Sequence, residues 1–165
     1  MLFQSIASSF AALLLAASLS GCSSGPDVEA LQKDVESAIQ AKDYAGAVAK
    51  ADAALKEEAV SKDPAKAWRF ESMKLNALAE GGKGAEVKAN LERLAGTYDK
   101  QVNASLYHSL ADKVRTAGDG GGYADLLDAG VKKFPDDKTF QEAIDAMKNS
   151  ADPAEVERLK ALGYL

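Results

Sequence analysis

The chain holds one thiol and one imidazole, Cys22 and His108, two of the side chains most often recruited for nucleophilic and acid–base chemistry. A thiolate attacks electrophilic carbon well, and a neighbouring imidazole is the usual means of generating one. No Cys or Ser accompanies His108 in a nucleophile pattern. It follows Tyr107 in a stretch where Leu106 and Leu110 point inward, which predicts an imidazole packed at a boundary between helical units. "GDGGGY", Gly118 to Tyr123, has the glycine content of a phosphate cradle. It lacks the GxxxxGK[ST] spacing and any preceding strand, and reads as an inter-helix turn. Acid pairs such as Glu57-Glu58 and Asp136-Asp137 fit surface and capping positions, not a matched acid and base. One cysteine forms no intrachain disulfide, and with one histidine it leaves little from which to build a metal cluster. No reaction, metal or cofactor is expected of the chain.

Binding is better represented. Trp68 has the type of side chain that dominates interface hot spots, and Lys66, Arg69 and Lys74 stand near it. Together they would line a groove for an acidic or carboxylate-bearing partner. The competing reading, and the favoured one, packs the indole at the junction of the first two helical hairpins. The tail "RLKALGYL" offers a similar choice. Tyr164 and Leu165 either fold back on the last helix beyond Gly163, or are displayed for a partner.

The longest apolar run, Phe10 to Leu19, is too short to span a bilayer, which takes about 20 residues. It has the length of the apolar region of a secretory leader. The run ends in Leu19-Ser20-Gly21-Cys22, which resembles the lipobox of bacterial lipoproteins. "MLFQSIASS" departs from that pattern in having no Lys or Arg, where such leaders open with positive charge. The resemblance implies that residues 1–21 are a signal peptide removed by a dedicated peptidase. Cys22 would then carry a diacylglycerol thioether and an acylated amino group, palmitate being a typical chain. Each buried methylene contributes about 0.8 kcal/mol to anchoring. Residues 22–26 become a short lipidated tether, and 27–165 the helical body. Ser23, rather than Asp, implies transfer to the outer membrane, facing the periplasm.

All of the charge lies beyond Gly21: 20 Lys+Arg against 25 Asp+Glu, a formal net of -5. That balance speaks against nonspecific nucleic-acid binding. The signs alternate, as in "LQKDVESAIQAKD", in the manner of solvated helix faces. Apolar residues at three- and four-residue spacing predict eight helices and no strand. The first follows Asp27 with Val28, Leu31, Val35 and Ile39 on one face. The second runs from Asp43 to about Ala59, and Asp63-Pro64 opens the third. Gly84 to Thr97 contains the fourth, and the fifth starts near Gln101. The sixth follows the glycine turn, Asp136 or Asp137 caps the seventh, and Asp152-Pro153-Ala154-Glu155 is a capping box for the last. The fold class expected is all-α.

Ala47, Val87 and Leu126 are spaced by 40 and 39 residues, and Leu55, Ala95 and Phe134 likewise. A period of that size indicates stacked helical hairpins. Lys42 to Pro64, through Tyr44, Ala47, Ala54, Leu55 and Pro64, resembles the tetratricopeptide repeat, and Gly118 to Pro135 does so more weakly. The units exceed the 34 residues usual in that family. The resemblance implies a short solenoid whose concave surface binds another protein. The function expected is that of an envelope lipoprotein acting as an interaction scaffold or assembly factor, with an envelope protein as partner. The alternative is a non-repeat helical bundle with a structural or small-ligand role, which an apolar pocket lined by Trp68 and Tyr44 would favour.

Overall fold

The computed structural model describes residues 27–165; the expected signal peptide, Cys22 and the expected tether lie outside the described residues. Nine helices and no strand occur among them: α1 Val28–Gln40, α2 Tyr44–Ala54, α3 Glu58–Ser61, α4 Pro64–Glu80, α5 Gly84–Leu94, α6 Ala104–Thr116, α7 Gly120–Lys133, α8 Lys138–Met147 and α9 Pro153–Leu162. The all-α expectation holds.

Most helices begin where a short polar side chain satisfies the free N–H groups of the first turn. Asp27, Asp43, Asp63, Asn103, Asp119, Asp137 and Asp152 are all N-caps that accept such a bond. Three of the connections are the same turn. Lys42, Gly82 and Gly118 each take a positive φ, of 59°, 66° and 89°. The next residue in each case donates its N–H five residues back, to Ala38, Leu78 and Val114. This is the left-handed helix terminus that glycine favours, and Lys42 adopts it with a side chain.

Four expectations need correction. The second helix stops at Ala54, and a separate turn, α3, follows; the break brings Val60 fully into the core. α6 starts at Ala104, with Val102 buried in the turn before it. Gly120, Gly121 and Gly122 are no loose turn but the first turn of α7. Finally, the third unit is out of register at its start. The helix openings Tyr44, Gly84 and Gly120 put Tyr123, not Leu126, in line with Ala47 and Val87. Leu55, Ala95 and Phe134 do correspond, as the C-caps of α2, α5 and α7. The two spacings differ because α7 has 14 residues where α2 and α5 have 11.

The core falls into two clusters that meet in α4. One gathers Val35, Ala47, Ala51, Ala54, Val60, Phe70 and Ala77 around α1, α2 and α4. The other runs from Leu75 and Leu78 through Leu91, Tyr107, Leu126, Phe140 and Ile144 to Leu159. α2 packs on α1 and α4, α4 on α6, α5 on α7, and α7 on α6, α8 and α9.

Candidate binding cleft

Successive second helices of the hairpins meet at their N-termini, and three such joints can be compared position by position. Where α5 meets α7, the first residue of α5 is Gly84 and the third of α7 is Gly122. A Cβ on Gly84 would lie 2.5 Å from the Gly122 Cα, and one on Gly122 would lie 2.8 Å from the Gly84 Cα. Only backbone fits there. Asp119, the N-cap of α7, ties the joint: Oδ1 accepts from Gly122 N–H at 2.8 Å and Oδ2 from Gly84 N–H at 2.9 Å. α5 thus has a cap supplied by the next hairpin, its own N-cap Lys83 giving none.

The α7–α9 joint keeps the opening glycine and the capping aspartate, but its third position is Glu155 and Asp152 caps only its own helix, at Ala154 N–H. Gly120 opens α7 beneath the α9 N-cap Asp152 and the third residue Glu155, whose atoms would lie 2.5 and 2.9 Å from a Cβ on it. Glu155 is only 1% exposed and takes two hydrogen bonds from the Arg115 guanidinium, at 2.6 and 3.1 Å. This corrects the expected capping box. Glu155 does not reach back to Asp152 N–H, which donates instead to Ser150 Oγ.

At the α2–α5 joint all three positions differ from those of the α5–α7 joint, although the third, a glutamate, matches Glu155 of α9. Tyr44 stands where Gly84 and Gly120 stand, Lys83 replaces the capping Asp, and Glu86 takes the place of Gly122. Two side chains now separate the helices, and an ammonium group cannot accept an N–H. Tyr44 leans on Gly81, whose added Cβ would lie 3.2 Å from the tyrosine Cβ. The result is a cleft of about 470 Å³ floored by Val48, Ala77 and Leu78 and edged by Lys42, Lys83 and Glu86. Cavities of this size suit a few side chains of a partner or one small ligand. Neither Lys42 nor Lys83 belongs to an ion pair among the described residues. A second, shallower hollow lies on the other side of Tyr44, where Lys113 pairs with Glu80 at 2.7 Å.

Trp68 is half-buried and packs against Tyr98 with ring centroids 5.1 Å apart. It borders an open depression that includes Arg69, Gln32 and Glu36, and Arg69 donates to Gln32 Oε1 at 2.6 Å. Lys66 and Lys74 do not join that lining. Lys66 pairs with Asp63 at 3.5 Å, and Lys74 reaches Asp52 of α2 at 2.6 Å. His108 stacks on Phe140 at 3.8 Å and meets the Thr139 hydroxyl at 2.7 Å, which makes it a joint between α6 and α8. Of the tail, Tyr164 is docked, its hydroxyl donating to Asp128 at 3.1 Å, while Leu165 is 52% exposed. No group of His, Cys, Asp or Glu among the described residues could hold a metal ion, and no described helix is long and apolar enough to cross a membrane.

Comparison with known proteins finds no matching family model, no matching curated relative and no matching solved structure. Of the cleft residues, Lys42, Lys83 and Glu86 were not singled out as a site in the sequence; Tyr44 was paired there with Trp68, but the two border separate depressions. The available signal was the contrast between "KGAEV" and "DGGGY", two helix openings that share a turn but differ at the capping residue and two residues beyond the first glycine.

Proposed function

We propose that this chain is a lipid-anchored scaffold of the bacterial envelope whose stacked helical hairpins bind a partner protein in the α2–α5 cleft. The hairpins form a short, irregular solenoid related in plan to tetratricopeptide repeats. Three turns of one geometry and the glycine-aspartate joint between α5 and α7 support that plan. The anchor rests on Leu19-Ser20-Gly21-Cys22, which would hold the body close to the outer membrane by acyl chains on Cys22. The observation that carries the binding role is the third joint. There a side-chain pair and a lysine replace the glycine and aspartate closure, and an apolar floor with cationic and acidic edges opens to solvent. Recognition uses shape and polar contacts, and no bond is made or broken.

Two measurements test this. A photo-crosslinking amino acid at Ala45, on the cleft edge, should capture a discrete envelope protein in cells, and the triple variant Tyr44→Gly, Lys83→Asp, Glu86→Gly should abolish capture. Persistent capture by a folded triple variant would remove the cleft from consideration. Metabolic palmitate labelling should mark the native chain and not Cys22→Ser; equal labelling of both would refute the anchor.

A further inference from the structure

The groove between α5 and α7 holds a phenol without a partner. Tyr107 rises from α6 between these two helices, 1% exposed, with its ring edge-on to Phe134 at 5.5 Å. Its hydroxyl makes no hydrogen bond within the described residues, yet no fully enclosed side-chain polar atom lacks a partner, so the hydroxyl opens to the outside. It opens into a pocket of about 470 Å³ bordered by Lys88, Glu92, Asp128, Lys132 and Lys133. Burial, and then the Glu92 carboxylate, push the phenol above its ordinary 10.0, so the group keeps its proton and acts as a donor.

Both carboxylates around it already face ammonium groups. Asp128 takes bonds from Lys132 Nζ at 2.7 Å and from Tyr164 Oη at 3.1 Å. Glu92 faces Lys88 at 4.0 Å. The donors exceed them: the Tyr107 hydroxyl is free, and Lys133 has no carboxylate, its ammonium lying 5.8 Å from the centre of the Phe134 ring. Three ammonium groups and one phenol against two engaged carboxylates leave a net demand for an acceptor, in a chain that is acidic as a whole.

We propose that this groove is a binding pocket for a small oxyanion, the carboxylate or phosphate group of a ligand, held by Tyr107 Oη–H at the floor and by Lys88 and Lys133 at the rim. A hydrogen bond to a charged acceptor is among the stronger ones, and the burial of the phenol restricts the water that competes for it. The site shares no residue with the α2–α5 cleft and stands or falls without it.

The test is titration of the full-length chain, labelled with ¹³C-tyrosine, with inorganic phosphate in one arm and succinate in the other. Sodium chloride at matched ionic strength is the control. The Tyr107 ring resonance, assigned by its loss in Tyr107→Phe, should move saturably with at least one oxyanion and not with chloride. The stronger arm names the oxyanion. Calorimetry should then show affinity about tenfold weaker in Tyr107→Phe, which keeps the ring packing, and roughly threefold weaker in Lys133→Gln. Shifts that are absent or reproduced by chloride would overturn the proposal. So would wild-type affinity in Tyr107→Phe; if that variant failed to fold, unchanged affinity in the surface variant Lys133→Gln would do the same.

Discussion

Adding one methyl group to adjacent glycines of α7 should change stability in opposite directions. Gly121 and Gly122 lie in the same helical turn, and alanine at either gains helix propensity, about 0.8 kcal/mol in a helix interior and less in a first turn. At Gly121 the new Cβ meets only Asp119 Oδ1, at 3.9 Å, so Gly121→Ala should stabilise by about 0.5 kcal/mol. At Gly122 the new Cβ would lie 2.3 Å from Asp119 Oδ2 and 2.8 Å from the Gly84 Cα. The carboxylate can swing aside, at the expense of its bonds to Gly122 and Gly84; the backbone of α5 cannot. Overpacking of this kind costs about 1 to 3 kcal/mol, which exceeds the propensity gain, so Gly122→Ala should destabilise by about 1 to 2 kcal/mol. Urea denaturation followed by circular dichroism measures both, with melting temperatures expected to separate by roughly 5 °C. Equal stabilisation by the two variants would refute the backbone joint, and with it the contrast that defines the open cleft.

Two other outcomes follow from the charges. Glu155→Gln keeps the stem that covers Gly120 but removes the carboxylate from Arg115; because Arg115 is half exposed and can be resolvated, denaturation should show a loss of about 1 to 2 kcal/mol, less than for a fully buried pair. The carboxyls of Asp137, Asp63 and Asp145 are held below their ordinary 3.8, by the Thr139 hydroxyl, the Lys66 backbone N–H and the Lys148 ammonium respectively. A folded-state value below the unfolded one gives stability that is present above 3.8 and lost as pH falls through the folded value. Stability should therefore decline with acid in that window, and Asp137→Asn with Asp63→Asn should flatten the decline in melting temperatures between about pH 4 and 2; an unchanged slope would reject those bonds as its source.

Much of the fold was legible because capping chemistry is local. Asp27, Asp63-Pro64, Asp137 and Asp152-Pro153 each mark a helix start through one side chain and the next few N–H groups. What escaped was set by contacts distant in sequence. Three consecutive glycines oppose helix by propensity; the approach of Gly84 accounts for Gly122, and that of Asp152 and Glu155 for Gly120. Glu155 has the spacing of a capping box, but Arg115, 40 residues earlier, offers it a better partner. The inward face of α6 turns on Tyr107 rather than Leu106, and that of α4 includes Phe70 in full while Trp68 stays half-buried. In both helices the apolar residues cover more than one face, so spacing alone leaves the orientation open. The cleft was hidden for the complementary reason: it is an exception to a joint, visible only once the other two joints are seen.

An open joint between α2 and α5 would be expected to weaken the fold, since two helices forgo their mutual contact. The division of the core explains why the chain tolerates it. Ala77 belongs to the first cluster and Leu78 to the second, so neighbouring residues of α4 hold the two halves together from beneath the gap. α4 is also the longest described helix, at 17 residues, and it contacts α1, α2, α5 and α6. The helix that floors the cleft is therefore the one that the rest of the body braces. Residues on its edges, Lys42, Tyr44, Lys83 and Glu86, sit at helix ends where their side chains carry little of the packing. On the proposed reading, stability and recognition rest on different residues, and the cleft edge can vary without disturbing the frame beneath it.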